Sequence, residues 1–398
     1  MAAPSRQNAD DLIADITAEG KKLKNGEPGA REKIISQARN LLTTLETPWE
    51  TLLWYCWAEP GRYAALRVSL DLKLFETLAA DGGRPKTIAE LAAPVDADKN
   101  LVHRLARQLG ATGVIRELPK QMYATNALSE ALAQPKYQAT VRFSYDIAVP
   151  VFGGLPSYFQ KHGLQSPSNA LDGPWQHTHG PGHPFEWLNK HPDVFEAFFL
   201  YIYAQRNERP SWTDHDFYPV NERLIQGLIL EGDESALIDV GGATGQCLQE
   251  FLEKVPDWKG RLILQEQEPV IKQSKGLDSR IELQAYDFFK PQIVKGARAY
   301  YLRNIIHDWP DERALEILGQ LKAALKPGYS KILLNECVVA DEHPAWQHTS
   351  LDTQMLGVTA AQERTEAQWR KLIKSAGMKI TGIWTKGQGN EGVIEVVV

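Results

Sequence analysis

An imidazole and two carboxylates stand where acid–base chemistry would need them. The run Arg303-Asn304-Ile305-Ile306-His307-Asp308-Trp309-Pro310-Asp311 follows an apolar segment read as a strand, and sets His307 just beyond its end. Glu336 directly follows the next such segment, and Glu363 lies in Gln362-Glu363-Arg364-Thr365. Strand ends of a parallel sheet share one edge, so His307 and Glu336 can meet in one cleft. There a histidine can take a proton from a bound hydroxyl while carboxylates orient its ring and stabilise the imidazolium. A lone histidine would be a coin toss between structure and function; the two carboxylates favour function. Asp308 reads instead as a cap for a helix opening near Pro310 or Asp311, with Pro310 in the first turn.

A second constellation precedes it. In Asp239-Val240-Gly241-Gly242-Ala243-Thr244-Gly245 the small residues let the backbone turn sharply from strand to helix, and let a ligand approach the helix start. The turn is not the dinucleotide G-x-G-x-x-G and lacks the Lys-Ser/Thr of a P-loop. Glu266 ends the following strand, where a carboxylate can accept both hydroxyls of a ribose, although Glu268 leaves the choice open. Asp287 ends the next strand, in Tyr286-Asp287-Phe288-Phe289. It can accept from an exocyclic amine while Phe288 covers an adenine face; a turn cap explains Asp287 as well.

These residues need elements to hold them. With 398 residues the chain exceeds one ordinary core, so two or more domains are expected. Residues 1–135 are helical in pattern. Asp10, Asp11, Asp15 and Glu19 among Leu12, Ile13 and Ile16 mark an acidic amphipathic helix, not a signal peptide. Leu70 to Leu78 reads as one apolar helix stopped by Gly82-Gly83. Thr87-Ile88-Ala89-Glu90 is a capping box. Asp98 caps a helix carrying Leu101, Val102, Leu105 and Leu109, and Val114-Ile115 and Met122–Ala124 suit the two strands of a wing. Such a winged-helix unit can bind DNA or serve packing and dimerisation. His103, Arg104 and Arg107 with no basic arm, in a chain of net charge −6, favour the second role.

Residues 136–225 are rich in aromatics, among them Phe143, Trp175, Phe185, Phe198, Tyr201, Trp212 and Tyr218. Any one of them packs between elements; together they can wall a pocket for a flat apolar molecule. His177, His179 and His183 read as loop residues without a metal. Residues 226–398 alternate strands and helices, with strands at 237–240, 261–265, 281–284, 299–302 and 331–334, a helix at 312–325 and a terminal hairpin on the sheet edge. Cys56, Cys247 and Cys337 lie far apart, as in a reducing compartment. No apolar run reaches the roughly 20 residues of a membrane span. A cytoplasmic protein is the expectation.

With these residues together, the chain resembles the class II, plant- and fungal-type small-molecule O-methyltransferases that use S-adenosylmethionine (SAM) and release S-adenosylhomocysteine (SAH). The resemblance implies an α/β, Rossmann-like catalytic domain at 226–398 behind a mainly helical winged-helix dimerisation domain, and hence a homodimer. It implies Gly241, Gly242 and Gly245 around the methionine part of SAM, Glu266 at the ribose, Asp287 and Phe288 at adenine, and Arg303 near the cofactor. His307 falls at the catalytic base, with Glu336 and Glu363 as its flanking carboxylates. Met355, with Phe198 and Trp309, is expected to face a hydrophobic aromatic acceptor. Ala243 stands where a glycine is usual, and Glu266 where an aspartate is commoner. A phenol near pKa ~10 and an imidazole near ~6.5 are mismatched by about 3.5 units, so proton removal should accompany bond formation. Two rivals follow: a SAM-bound cyclase, pericyclase or dehydratase of this fold that keeps the methyl, and a winged-helix regulator that senses a nucleotide.

Overall fold

The structure, a computed structural model, describes residues 8–207, 209–387 and 389–398. The chain divides into two compact units, Met1–Val141 and Arg142–Val398.

In the first unit, helices Ala9–Lys24 and Ala30–Leu45 pack together, the former started by Asn8, whose Oδ1 accepts from Asp11 N at 2.8 Å. The apolar stretch around Leu70 is two helices rather than one. Glu59–Asp71 ends, Lys73 takes a left-handed φ of +50°, and a new helix opens at Leu74, burying Leu74, Phe75 and Leu78. No glycine marked that break, because a lysine made the turn. Both expected caps form: Glu90 N donates to Thr87 Oγ1 at 3.3 Å, and Leu101 N to Asp98 Oδ1 at 2.8 Å. The helix Lys99–Ala111 buries Val102, Ala106 and Leu109 but leaves Leu101 exposed. Strands β1 (Lys86–Thr87), β2 (Arg116–Leu118) and β3 (Met122–Ala124) form an antiparallel sheet ordered β1-β3-β2. The wing thus starts at Arg116, while Val114 and Ile115 go into the core.

The second unit is built on a seven-stranded sheet. Its strands are β4 (Leu237–Val240), β5 (Leu262–Glu266), β6 (Ile281–Ala285), β7 (Ala299–Arg303) and β8 (Lys331–Glu336). A short parallel pair follows, β9 (Val338–Val339) with β10 (Arg364–Thr365), then β11 (Lys379–Thr385) and β12 (Gly392–Val397). The order across the sheet is β11-β12-β8-β7-β4-β5-β6. β4 to β8 run parallel, and β12 joins β8 antiparallel with β11 outside it, so the terminal hairpin does extend the edge.

Side chains alternate across a strand, and both faces of this sheet are covered. Ile238, Tyr300, Leu302 and Ile332 pack under the helix Asp311–Lys322 and Trp369. Leu237, Leu262, Tyr301 and Leu333 pack against Trp212, Tyr218 and Phe251 on the other face. Trp212, Phe217 and Tyr218 therefore belong to the core and not to a ligand pocket. Among the described residues no helix is long and apolar enough to cross a membrane.

Candidate active site

His307 lies in a single 3-10 turn, Ile306–Asp308, immediately beyond β7. The chain reverses through Asn304, at φ +51°, and three buried groups then hold the turn. Glu336, the last residue of β8, accepts from Ile305 N at 3.0 Å and Ile306 N at 2.8 Å. Arg364 donates to Ile306 O at 3.2 Å and Trp309 O at 3.0 Å, and pairs with Asp311 at 2.8 Å. The third group is Glu363, whose Oε1 lies 2.6 Å from His307 Nδ1. The β9–β10 pairing, Arg364 against Val338, carries Glu363 to this place, and Asp352 Oδ1 fixes its backbone N–H at 2.8 Å. Asp308 does not cap the next helix, which starts after Pro310 with no side-chain cap. Its carboxylate lies 3.6 Å from His307 Nε2 instead.

This carboxylate cage changes the ring's chemistry. Burial disfavours the imidazolium, but Glu363, Asp308 and Glu336 outweigh it and raise His307 to about 10. The mismatch expected from ordinary values closes, since a phenol also titrates near ~10. Burial raises Glu336 to about 7 and Asp308 to about 6, with His307 acting against it in both. Glu336 thus supports the backbone of the histidine turn, whereas Glu363 touches the ring.

His307 and Asp308 line a cavity of about 1240 Å³. Gly241, Gly242 and Ala243 of the glycine turn form one part of its wall. A Cβ on Gly241 would come 2.6 Å from Ile305 Cδ1, one on Gly242 would strike the Asp239 carboxylate, and one on Gly245 would come 2.7 Å from Leu277. Ala243 adopts φ +51°, the left-handed region that favours glycine. Its N–H donates to Glu266 Oε2 at 3.2 Å, and Gln267 N–H to Glu266 Oε1 at 2.7 Å. Burial raises Glu266 above its ordinary value and Asp239 to about 7, the latter opposed by Arg206 and Arg303. Both Asp239 carboxylate oxygens are buried with no protein partner among the described residues. Asp287 and Phe288 line the same region; Asp287 is exposed and accepts from Phe289 N at 2.9 Å. Arg303 lines it too, but its guanidinium pairs with Glu391 at 2.7 Å. Glu391 also pairs with Arg209 and accepts from Asn304 Nδ2, and the two arginines, helped by that hydrogen bond, outweigh burial to bring it down to about 2.

Phe198, Trp309 and Met355 all line the cavity, with Phe143, Phe185 and Tyr201. Phe143 stacks on Tyr201 at 5.2 Å. His177 and His179 lie on a short helix, Pro174–His179, and His183 caps the next. No group of three or more His, Cys, Asp or Glu with metal-holding geometry occurs among the described residues. Sequence reading missed Arg364 and Glu391. Arg364 sat in plain view beside Glu363, yet nothing in its spacing pointed to the backbone of residues 306–309. Glu391 depends on β12 lying next to β8, which no local pattern encodes.

The O-methyltransferase domain family matches residues 168–379, and the O-methyltransferase dimerisation domain matches residues 62–135. The O-methyltransferase mpaG of Penicillium brevicompactum is 38% identical over 96% of this chain and 97% of that protein. The chain belongs to the class II, plant- and fungal-type O-methyltransferase family. The demethylsterigmatocystin 6-O-methyltransferase of Aspergillus parasiticus is 31% identical over 88% of each chain. Among solved structures, LepI in complex with SAM superposes with a TM-score of 0.87 at 25% identity, over 98% of this chain and 100% of that one. This O-methyltransferase uses SAM. Its cavity fits that cofactor: the glycine wall has no room for side chains, and the unpartnered Asp239 oxygens can accept from an ammonium.

Proposed function

We propose that this O-methyltransferase methylates a hydroxyl of an aromatic or polyketide-type small molecule, with His307 as general base. The observation that carries the reading is the 2.6 Å contact of His307 Nδ1 with Glu363 on a ring that lines the cavity. Nδ1 is occupied, so Nε2 is the nitrogen left for the acceptor hydroxyl. SAM supplies an activated methyl whose transfer leaves neutral SAH, and the hydroxyl proton goes to His307. Glu363 holds the resulting imidazolium, and Glu336 fixes the turn that carries it. Asp239, Gly241, Gly242, Gly245, Glu266, Asp287, Phe288 and Arg303 are assigned to the cofactor. Phe198, Trp309 and Met355 are assigned to the acceptor. The apolar, aromatic wall supports that acceptor class, and the Aspergillus relative is named for 6-O-methylation of demethylsterigmatocystin, a small molecule.

Holding reacting groups in line supplies most of the catalysis; the general base adds on the order of 10² to 10⁴. His307→Ala should therefore bind SAH as the wild type does and transfer label from methyl-labelled SAM at least about a hundredfold more slowly. Near-normal turnover on a panel of phenolic acceptors would remove His307 from the role.

One observation favours a second reading. The solved structure of a pericyclic reaction enzyme superposes over 97% of this chain with a TM-score of 0.87 at 25% identity. A protein of that kind would convert its substrate without producing SAH, so SAH released per product formed separates the two.

We infer that residues 1–135 serve dimerisation, 136–225 wall the acceptor pocket and 226–398 hold the cofactor, in a cytoplasmic homodimer. The dimerisation-domain match supports this, as does an exposed run of Leu42, Leu45, Trp49, Leu52, Trp54 and Trp57 just before it. Large exposed apolar patches mark interaction surfaces.

A further inference from the structure

His183 is 5% exposed and forms part of the cavity wall. Its ring stacks on Trp309, centroids 4.5 Å apart and planes 10° apart, and lies against Phe185 at 5.3 Å. Nδ1 accepts from Phe185 N–H at 3.3 Å and so caps the helix Pro184–Asn189. An amide N–H can only donate, so Nδ1 carries the lone pair and the ring proton sits on Nε2. Burial, with Arg313 nearby, lowers His183 to about 4, which keeps the ring neutral around pH 7. Nε2 is buried and has no hydrogen-bond partner among the described residues. A buried donor left unpaired is costly, so an acceptor is expected to reach it from the cavity.

We propose that His183 Nε2–H recognises an uncharged acceptor atom, a ring nitrogen or a carbonyl oxygen, of the ligand bound in the aromatic bay between Phe185, Phe288 and Trp309. A neutral donor among aromatic rings suits a neutral lone pair. The bay adjoins the glycine turn: Phe288 lies 6.0 Å from Trp309 and within 3.7 Å of the space a Gly241 Cβ would occupy. That favours the adenine of the cofactor as the source. Phe185 also neighbours Phe198, at 6.2 Å, through which a carbonyl of the methyl acceptor would reach the same donor. The proposal rests on SAM binding in this cavity and not on the role of His307, so either can fail alone.

Calorimetric titration with SAH and with analogues in which N1, N3 or N7 of adenine is replaced by CH tests it. Wild-type protein should lose about tenfold in affinity, near 1.4 kcal/mol, for one analogue. His183→Phe keeps the stack on Trp309, and His183→Asn keeps an acceptor for Phe185 N–H. Both should bind SAH about tenfold more weakly and no longer distinguish the analogues. Unchanged SAH affinity with a raised KM for carbonyl-bearing acceptors would assign the donor to the acceptor. Unchanged Kd and KM in both variants would overturn the proposal. A thermal melt alongside separates loss of the cap from loss of recognition, because only His183→Phe removes the cap.

Discussion

His307 Nδ1 and Glu363 Oε1 stand 2.6 Å apart with both side chains withdrawn from solvent, and this contact ties the basicity of the ring to one carboxylate. The free enzyme holds His307 as an imidazolium up to about pH 10. The deprotonated fraction grows tenfold per pH unit below that point, so kcat/KM should rise with pH toward about 10. Glu363→Gln removes the largest of the interactions favouring the imidazolium, and the rising limb should end on the order of one unit or more lower. Stability follows the same group. The raised pKa contributes fully below about 6.5 and is lost as pH rises through about 10, so the melting temperature should fall across that window, less so in Glu363→Gln. Coincident pH–rate profiles for the two proteins would break the link.

Glu336 offers a different test. Its Oε1 takes two backbone amides, at 3.0 and 2.8 Å, while its Oε2 is buried without a partner among the described residues. Glu336→Gln keeps an oxygen for both amides and should preserve the fold and most activity. Glu336→Ala strands both donors, at about 1–3 kcal/mol each, and should lower both denaturant midpoint and kcat. Burial raises Glu336 to about 7, so its contribution is present below about 4.5 and lost as pH rises through 7. Urea titrations should therefore show Glu336→Gln gaining on the wild type at pH 9 relative to pH 5.

Ala243 sits at φ +51°, where an L-residue costs roughly 1–2 kcal/mol. Ala243→Gly relieves that strain but adds about 0.4–1 kcal/mol of unfolded-chain entropy. The first effect is larger, so stability should rise by about 0.5–1 kcal/mol, read as a higher melting temperature. The Ala243 N–H bond to Glu266 should survive, leaving SAH affinity within about twofold.

Trp49 is 65% exposed and Trp57 72% exposed in a single chain. If a second copy covers them, the double variant Trp49→Asp, Trp57→Asp should sediment as a monomer at concentrations where the wild type is a dimer. Each chain should keep its far-UV spectrum, since neither indole contributes to the core of its own unit.

Strands β4, β5, β7 and β8 were legible because they are short, mostly apolar runs, the last three ended by a charged residue, and both faces of a doubly wound sheet demand that pattern. His307, Glu336 and Glu363 were legible for a related reason, since strand ends collect at one edge. Less visible was how they divide the work. Glu363 reaches the ring only through β9–β10, two strands of two residues each, too short for any periodicity. Asp308 misled because an acid before proline usually caps, yet here Pro310 opens the helix without help and the carboxylate turns to the ring. The break at Lys73 was hidden in the same way, by a residue that rarely takes positive φ.

Residues 392–397 form an interior strand, hydrogen-bonded to β8 on one side and β11 on the other, and Glu391 just before them clamps Arg303 and Asn304. During synthesis the sheet must therefore wait, with the apolar edge of β8 uncovered, until residues 392–397 have been made. A chain without residues 391–397 would carry every assigned cofactor and base residue and lack the strand and the carboxylate that hold Arg303 and Asn304. Truncation before residue 391 should therefore act as a complete loss of enzyme.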